Sequence, residues 1–253
     1  MKIITVMQAK VLLKKIFKYG YVGGICRYLH FMKVIKNLNL PKLSLKVLDA
    51  GCGNGEIAYS LAKKFRQFSV FAFDKKRSPY WDLLSTDNLQ FCIKDLQNEH
   101  IGISEYDIVY TIDVLEHIKN NKLVLKKLAQ ALKPGGFLIV LMPSLYDNKR
   151  LFGRRFYKNI EDLLAKEHIG ERYTLTELCS IIRDMKFEIL EARHTFGFFG
   201  QLASDIETFL TAIIGPIVKC FLPLFIMLSY LDVLLPNKDG NGLCIVAQKK
   251  SLT

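Results

Sequence analysis

The residues best equipped for chemistry in this chain are the glycines of Gly51-Cys52-Gly53-Asn54-Gly55, which follow the run Val47-Leu48-Asp49-Ala50. Glycine accepts a positive φ without a Cβ clash and lets a ligand approach the backbone closely. A helix starting just beyond the turn adds exposed amide donors. The spacing is G-x-G-x-G, distinct from the G-x-G-x-x-G of dinucleotide-binding turns. A plain strand-to-helix turn would use the same glycines, so a second feature must decide. Asp74 is that feature: it closes Phe71-Ala72-Phe73-Asp74, nineteen residues after Gly55. A carboxylate at the end of that strand accepts both hydroxyls of a ribose in nucleotide-binding α/β folds, whereas a turn aspartate with no ligand is merely solvated. Two acidic positions follow in order, Asp95 after a third β-rich run and Asp113 inside Tyr106-Asp107-Ile108-Val109-Tyr110-Thr111-Ile112-Asp113-Val114-Leu115-Glu116-His117-Ile118.

Positioning these residues requires strands that end where they stand. Short β-rich runs occur at Lys46 to Ala50, Val70 to Asp74, Leu89 to Lys94, Tyr106 to Ile112, Gly136 to Met142, Phe187 to Arg193 and Leu243 to Gln248. Helical patterns intervene, such as Glu56 to Phe65 and Lys122 to Leu132, the second closed by Lys133-Pro134-Gly135-Gly136. This alternation predicts an α/β fold, a Rossmann-like, doubly wound seven-stranded sheet covered by helices on both faces. Half of the 253 residues are hydrophobic, enough to build a core and to exclude intrinsic disorder.

The ordered set of glycine turn, Asp74, Asp95, the segment around Asp113 and Leu132-Lys133-Pro134-Gly135-Gly136 resembles the class I S-adenosylmethionine-dependent methyltransferases. Within them it looks most like the type 11 group, which includes ubiquinone and menaquinone biosynthesis methyltransferases. The resemblance is strong over residues 46–144, looser over the last two strands, and implies an antiparallel final strand. It implies S-adenosyl-L-methionine as cofactor, with Asp49, Gly51, Cys52, Gly53 and Gly55 around its methionine part and Asp74 at its ribose. Asp95 and Leu96 would flank the adenine, and the segment opening at Asp113 would run beside the methyl donor. Methyl transfer is an in-line displacement, so alignment and exclusion of water dominate; a hydroxyl or amine acceptor also benefits from a base. His117 is the first candidate for that base, with loop orientation as its competing role. His168 is the second, because relatives place a substrate-covering element after the fifth strand. Trp81, the only tryptophan, is expected in the core or against the cofactor.

Two segments stand outside the alternation. Residues 1–45 form a basic N-terminal segment, with Ile3, Ile4, Met7, Val11, Leu12, Ile16 and Phe17 at helical spacing opposite lysines. Ten Lys or Arg precede the first acidic residue, Asp49, and dominate the net charge of +12. The second is an apolar insertion at about 195–240 within the expected methyltransferase domain of 46–253. Phe209 to Leu231 hold one charge, Lys219, and two prolines, Pro216 and Pro223. A single membrane crossing there would tear the last strand from its partner, so the open readings are a broken hairpin at a membrane interface, a lid or a dimer surface. Basic and aromatic residues interleave at 149–158 and suit a phosphate or headgroup, or a solvated helix face.

The expected function is methylation of a small or lipid-like acceptor, a quinone precursor, a phenol or a lipid-linked sugar, by a cytoplasmic protein peripheral on the cytosolic face of a membrane. Anionic lipid is the expected surface partner. A non-catalytic, membrane-associated cofactor scaffold is the alternative. Nucleic acid is disfavoured despite the charge, since the fourth strand lacks an Asn/Asp-Pro-Pro-Tyr motif and no Pro-Cys nucleophile occurs. Six widely spaced cysteines without a Cys-x-x-Cys pair argue for reduced thiols and against a metal site.

Overall fold

In the computed structural model, which describes residues 21–38, 40, 44–145 and 167–251, the β-rich runs become one seven-stranded sheet. Its strands are β1 (Leu45–Ala50), β2 (Phe68–Asp74), β3 (Leu89–Ile93), β4 (Tyr106–Ile112), β5 (Leu132–Pro143), β6 (Phe187–Thr195) and β7 (Gly242–Lys249). Their order is β3-β2-β1-β4-β5-β7-β6. Pairs among β1 to β5 are parallel, and β7 runs antiparallel to both β5 and β6. The chain order reverses between β1 and β4, which makes the carboxyl edge there the expected ligand crevice. Among the described residues the α-helices are α1 (Val22–Asn37), α2 (Glu56–Lys64), α3 (Asn121–Ala131), α4 (Leu175–Asp184), α5 (Phe198–Ile214) and α6 (Leu222–Leu234). The N-terminal twenty residues and the basic-aromatic run at 149–158 lie outside the described residues.

Period-two alternation along the strands divides the core into two layers. On one face Leu138, Val140 and Met142 of β5 and Leu243, Ile245 and Ala247 of β7 pack with Val124, Leu125 and Leu128 of α3 and Leu178 and Ile182 of α4. On the other face Ile139, Leu141, Cys244 and Val246 meet α1 and α2 through Phe31, Ile35, Ala58 and Leu61. Phe31 and Tyr110 place their ring centroids 4.4 Å apart at the centre of that layer. Each fully buried aliphatic or aromatic side chain contributes about 1.5–3 kcal/mol of transfer free energy. α4 begins on a capping box, with the Thr174 hydroxyl accepting from the Glu177 amide and the Glu177 carboxylate accepting from the Thr174 amide.

The helix stops at Ala131, just before Lys133-Pro134-Gly135-Gly136 as expected, but the same run is also the opening of β5, which begins at Leu132 and not at Gly136. Gly135 takes a φ of 76°, and the β4–β5 register shifts between Tyr106 and Ile108, so the Pro-Gly-Gly run is absorbed as a strand irregularity. The apolar insertion folds as a hairpin: α5, a 3-10 turn over Gly215–Phe221, then α6. Pro216 and Pro223 occupy first-turn positions of the 3-10 turn and of α6, where a missing N–H costs little. They start elements rather than break one. Val22 of α1 packs with Ala203, Val218, Phe225 and Leu228 of the hairpin.

A buried polar network ties these helices to the sheet. Asp232 of α6 is fully buried and accepts from the Phe196 and Gly200 amides at 3.0 Å each, from His30 Nε2 at 2.9 Å and from the Cys26 thiol at 3.6 Å. On the far side of the ring, Arg193 of β6 donates to His30 Nδ1. A guanidinium has only donors, so Nδ1 is the acceptor and Nε2 carries the proton donated to Asp232. Burial lowers the His30 pKa and keeps the ring neutral. Burial alone would raise the Asp232 carboxyl, but the bonds from His30, Gly200 and Cys26 hold it below the usual range.

Candidate active site

The glycine turn leaves β1 at Ala50 and enters α2 through Gly55, and all three glycines have positive φ: 88° at Gly51, 51° at Gly53 and 80° at Gly55. Gly51 is required sterically, because a Cβ there would stand 2.3 Å from Val114 Cγ2. At Gly55 a Cβ would stand 2.4 Å from the Phe91 ring. Trp81 explains that crowding: it stacks on Phe91 with centroids 5.0 Å apart and donates its indole N–H to the Gly53 carbonyl at 2.9 Å. The aromatic pair props the turn from below. Gly53 differs, since a Cβ there would meet nothing within 4 Å.

Gly53 lines a cavity of about 490 Å³ at the carboxyl edge, within the usual range for small-molecule sites. Its walls include Gly51, Gly53, Asp74, Asp95, Leu96, Asp113 and His117. Asp49, Cys52 and Gly55 are not among its lining residues. Asp49 is buried at the end of β1, and desolvation pushes its pKa up to about 7 against a hydrogen bond from Tyr110. Burial raises the Cys52 thiol strongly. Asp74 Oδ2 accepts the Gly53 amide at 2.8 Å, so this carboxylate shapes the turn as well as facing the cavity. Asp95 accepts the Gln97 amide at 2.9 Å and the Asn98 side-chain amide at 2.8 Å. A carboxylate has about four lone-pair sites, so both aspartates retain capacity for a ligand.

The fourth strand ends in strain. Asp113 has a φ of 53°, uncommon for a residue with a Cβ, and it forms an ion pair with Arg27 of α1. Arg27 also lies over the Phe196 ring, 4.5 Å from its centroid. Behind Asp113, Glu116 is 1% exposed and its Oε2 has no hydrogen-bond partner among the described residues. Desolvation, reinforced by the Asp113 charge, pushes its pKa up to about 8. His117 Nδ1 lies 3.0 Å from the Glu167 carbonyl, an acceptor only, so the N–H is on Nδ1 and neutral His117 offers Nε2 as an acceptor. His168 stands against it with ring centroids 5.1 Å apart.

Glu116, His117 and His168 each bring one polar atom within 4.8 Å of the others. The same spacing holds for Cys26, His30 and Asp232. The second group is closed to a cation, because the donor from Arg193 fixes the His30 proton on the nitrogen that faces Asp232. Sequence reasoning found the glycine turn and the carboxylates, but it missed Arg27 and the buried state of Glu116. Arg27 sits 86 positions before Asp113 in a segment with no motif, and no local pattern pairs them.

A methyltransferase-domain family model matches residues 24–192. A ubiquinone biosynthesis O-methyltransferase of Rickettsia typhi is 30% identical over 159 residues, which covers 59% of this chain and 62% of that protein. A sterol 24-C-methyltransferase of Gibberella zeae is 28% identical over 185 residues, covering 69% of this chain and 47% of that one. The chain thus spans about three-fifths of the first relative and about half of the second. Among solved structures, phosphoethanolamine N-methyltransferase 2 of Haemonchus contortus, in complex with S-adenosyl-L-methionine, superposes with a TM-score of 0.61. The match covers 87% of this chain and 52% of that one at 19% identity, a likeness of fold.

Proposed function

The chain belongs to the methyltransferase-domain family, and from that premise we propose that it transfers a methyl group from S-adenosyl-L-methionine to a small or lipid-like acceptor at a membrane surface. One observation carries the reading: Gly51 and Gly53 of the glycine turn, Asp74, Asp95, Leu96 and Asp113 converge on one cavity, and a Cβ at Gly53 would meet nothing within 4 Å. These residues fit the cofactor. When bound, S-adenosyl-L-methionine supplies an electrophilic methyl group on a sulfonium. Asp74 would take the ribose hydroxyls while holding the Gly53 amide, and Asp95 with Leu96 would border the adenine. Gly51, backed by Val114, keeps the turn close to the ligand.

His117 is the residue we assign to take a proton from a hydroxyl acceptor, through Nε2, the ring nitrogen that does not face the Glu167 carbonyl. The relatives named for ubiquinone and sterol substrates favour an apolar acceptor. The hairpin α5–α6, which begins two residues after the Phe196 that Arg27 covers, favours a membrane setting for it.

Calorimetric titration with S-adenosyl-L-methionine and S-adenosylhomocysteine tests the cofactor. We expect micromolar binding by the intact chain and at least a tenfold loss in Asp74→Ala, with Asp74→Asn losing less because it can still accept the Gly53 amide. Absence of binding by the intact chain would overturn the reading in favour of a scaffold without turnover. His117→Ala should keep its S-adenosylhomocysteine affinity while methyl transfer to a phenolic acceptor falls by about 10²–10⁴.

A further inference from the structure

The hairpin carries a surface that neither the cavity nor the core uses. Ile213 and Ile217 are each 62% exposed, Met227 and Tyr230 each 53%, with Phe221 and Ile226 also exposed between them. From Thr208 to Leu231 the only charged residue is Lys219, and it is exposed. The stretch Phe198–Leu234 is long and apolar enough to cross a membrane by length and composition, yet only 11% of its most apolar window is buried inside the fold. An exposed apolar surface of this composition marks a contact with another apolar phase.

Three observations say which phase. The hairpin does not span, because β6 and β7 pair from Phe187 with Lys249 to Thr195 with Gly242, which fixes both its ends at one edge of the sheet. The acidic groups of the hairpin are turned inward: Asp205 and Asp232 are fully buried, and Glu207 accepts the Val22 amide at 2.9 Å. The exposed end therefore carries apolar groups and a positive charge, the complement of an anionic lipid leaflet rather than of a second apolar-and-acidic protein face. That same Glu207–Val22 bond brings the chain's N-terminal side to the hairpin, and the twenty residues preceding Tyr21 contain five lysines and no acidic residue.

We propose that the exposed end of the α5–α6 hairpin, from about Thr211 to Tyr230, is a monotopic seat in an anionic bilayer leaflet, inserted without crossing it. This rests on, and deepens, the membrane-surface part of the proposed function. It also gives the acceptor a route, since Asp113 on the cavity wall pairs with Arg27 of α1, which lies over Phe196 next to the base of the hairpin. A lipid-like acceptor then reaches the methyl donor from the leaflet without passing through water.

Sedimentation of the full chain with vesicles tests it, using phosphatidylcholine alone and phosphatidylcholine mixed equally with phosphatidylglycerol. The expected result is binding to the mixed vesicles, at least tenfold weaker binding to the neutral ones, and at least a tenfold loss on the mixed vesicles in the triple variant Ile213→Asp, Ile217→Asp, Met227→Asp. These side chains are solvent-facing, and unchanged S-adenosylhomocysteine binding by the variant verifies that it folds. Equal binding by the variant overturns the proposal. So does failure of the intact chain to bind either vesicle, including the case in which light scattering shows a dimer that the substitutions dissociate. Vesicle binding without S-adenosylhomocysteine binding would overturn the methyltransferase reading and leave the membrane seat standing.

Discussion

At Gly51 an added Cβ would collide with Val114 at 2.3 Å, whereas at Gly53 the nearest atom is beyond 4 Å. Both glycines have positive φ, so alanine at either pays the left-handed penalty of about 1–2 kcal/mol. Only Gly51→Ala adds the steric clash. Gly53→Ala should therefore leave a folded chain, its melting temperature lowered by a few degrees, with S-adenosylhomocysteine affinity reduced at least tenfold; Gly51→Ala should compromise folding itself, and parallel calorimetry and thermal melts separate the two. Glu116 makes a second residue-level prediction. Its folded pKa, about 8, lies above the ordinary value of 4.5, so between those values the folded chain holds a proton that the unfolded chain has lost. Stability from this group is thus greatest at the acid end and falls as pH rises through that window. Asp49, at about 7, adds to the same trend. Melting temperature measured from pH 5 to pH 8 should decline, and Glu116→Gln should flatten the decline; an unchanged slope in the variant would refute the assignment.

Among the elements, α1 and the α5–α6 hairpin depend on one carboxylate. Removing Asp232 leaves His30 Nε2 and the Phe196 and Gly200 amides buried without their acceptor, each worth about 1–3 kcal/mol. Asp232→Ala should cost more than about 3 kcal/mol in denaturant unfolding and expose residues 196–240 to protease before the central strands are cut. Thr174→Ala, which removes one half of the α4 capping box, should cost only about 1 kcal/mol by the same measurement. The contrast follows from burial: the Thr174 bonds are replaced by water when lost, and those of Asp232 are not.

For the whole molecule, charge and apolar surface make separable contributions to membrane contact. Raising salt from about 0.1 M to about 0.5 M shortens the Debye length from about 10 Å and weakens the lysine contribution. Binding to the mixed vesicles should fall severalfold and level off at a salt-resistant part set by Ile213, Ile217 and Met227; complete loss would mean that the hairpin does not insert. The alternation of β-rich runs determined by itself the seven strands and the cofactor-type turn, because glycine conformation and period-two burial are local properties written at fixed spacings. The positions of Asp74 and Asp95 at strand ends were legible for the same reason. The run Lys133-Pro134-Gly135-Gly136 marks the end of α3, but its strand character was not legible, since a strand irregularity uses the same residues as a helix stop. Only the tertiary structure decided that Arg27 meets Asp113, that Glu116 is desolvated, and that Asp232 joins α1 to a hairpin whose apolar end stays exposed. Those contacts join residues far apart in the chain, and their partners and burial are set by how the helices pack on the sheet, which no local spacing encodes.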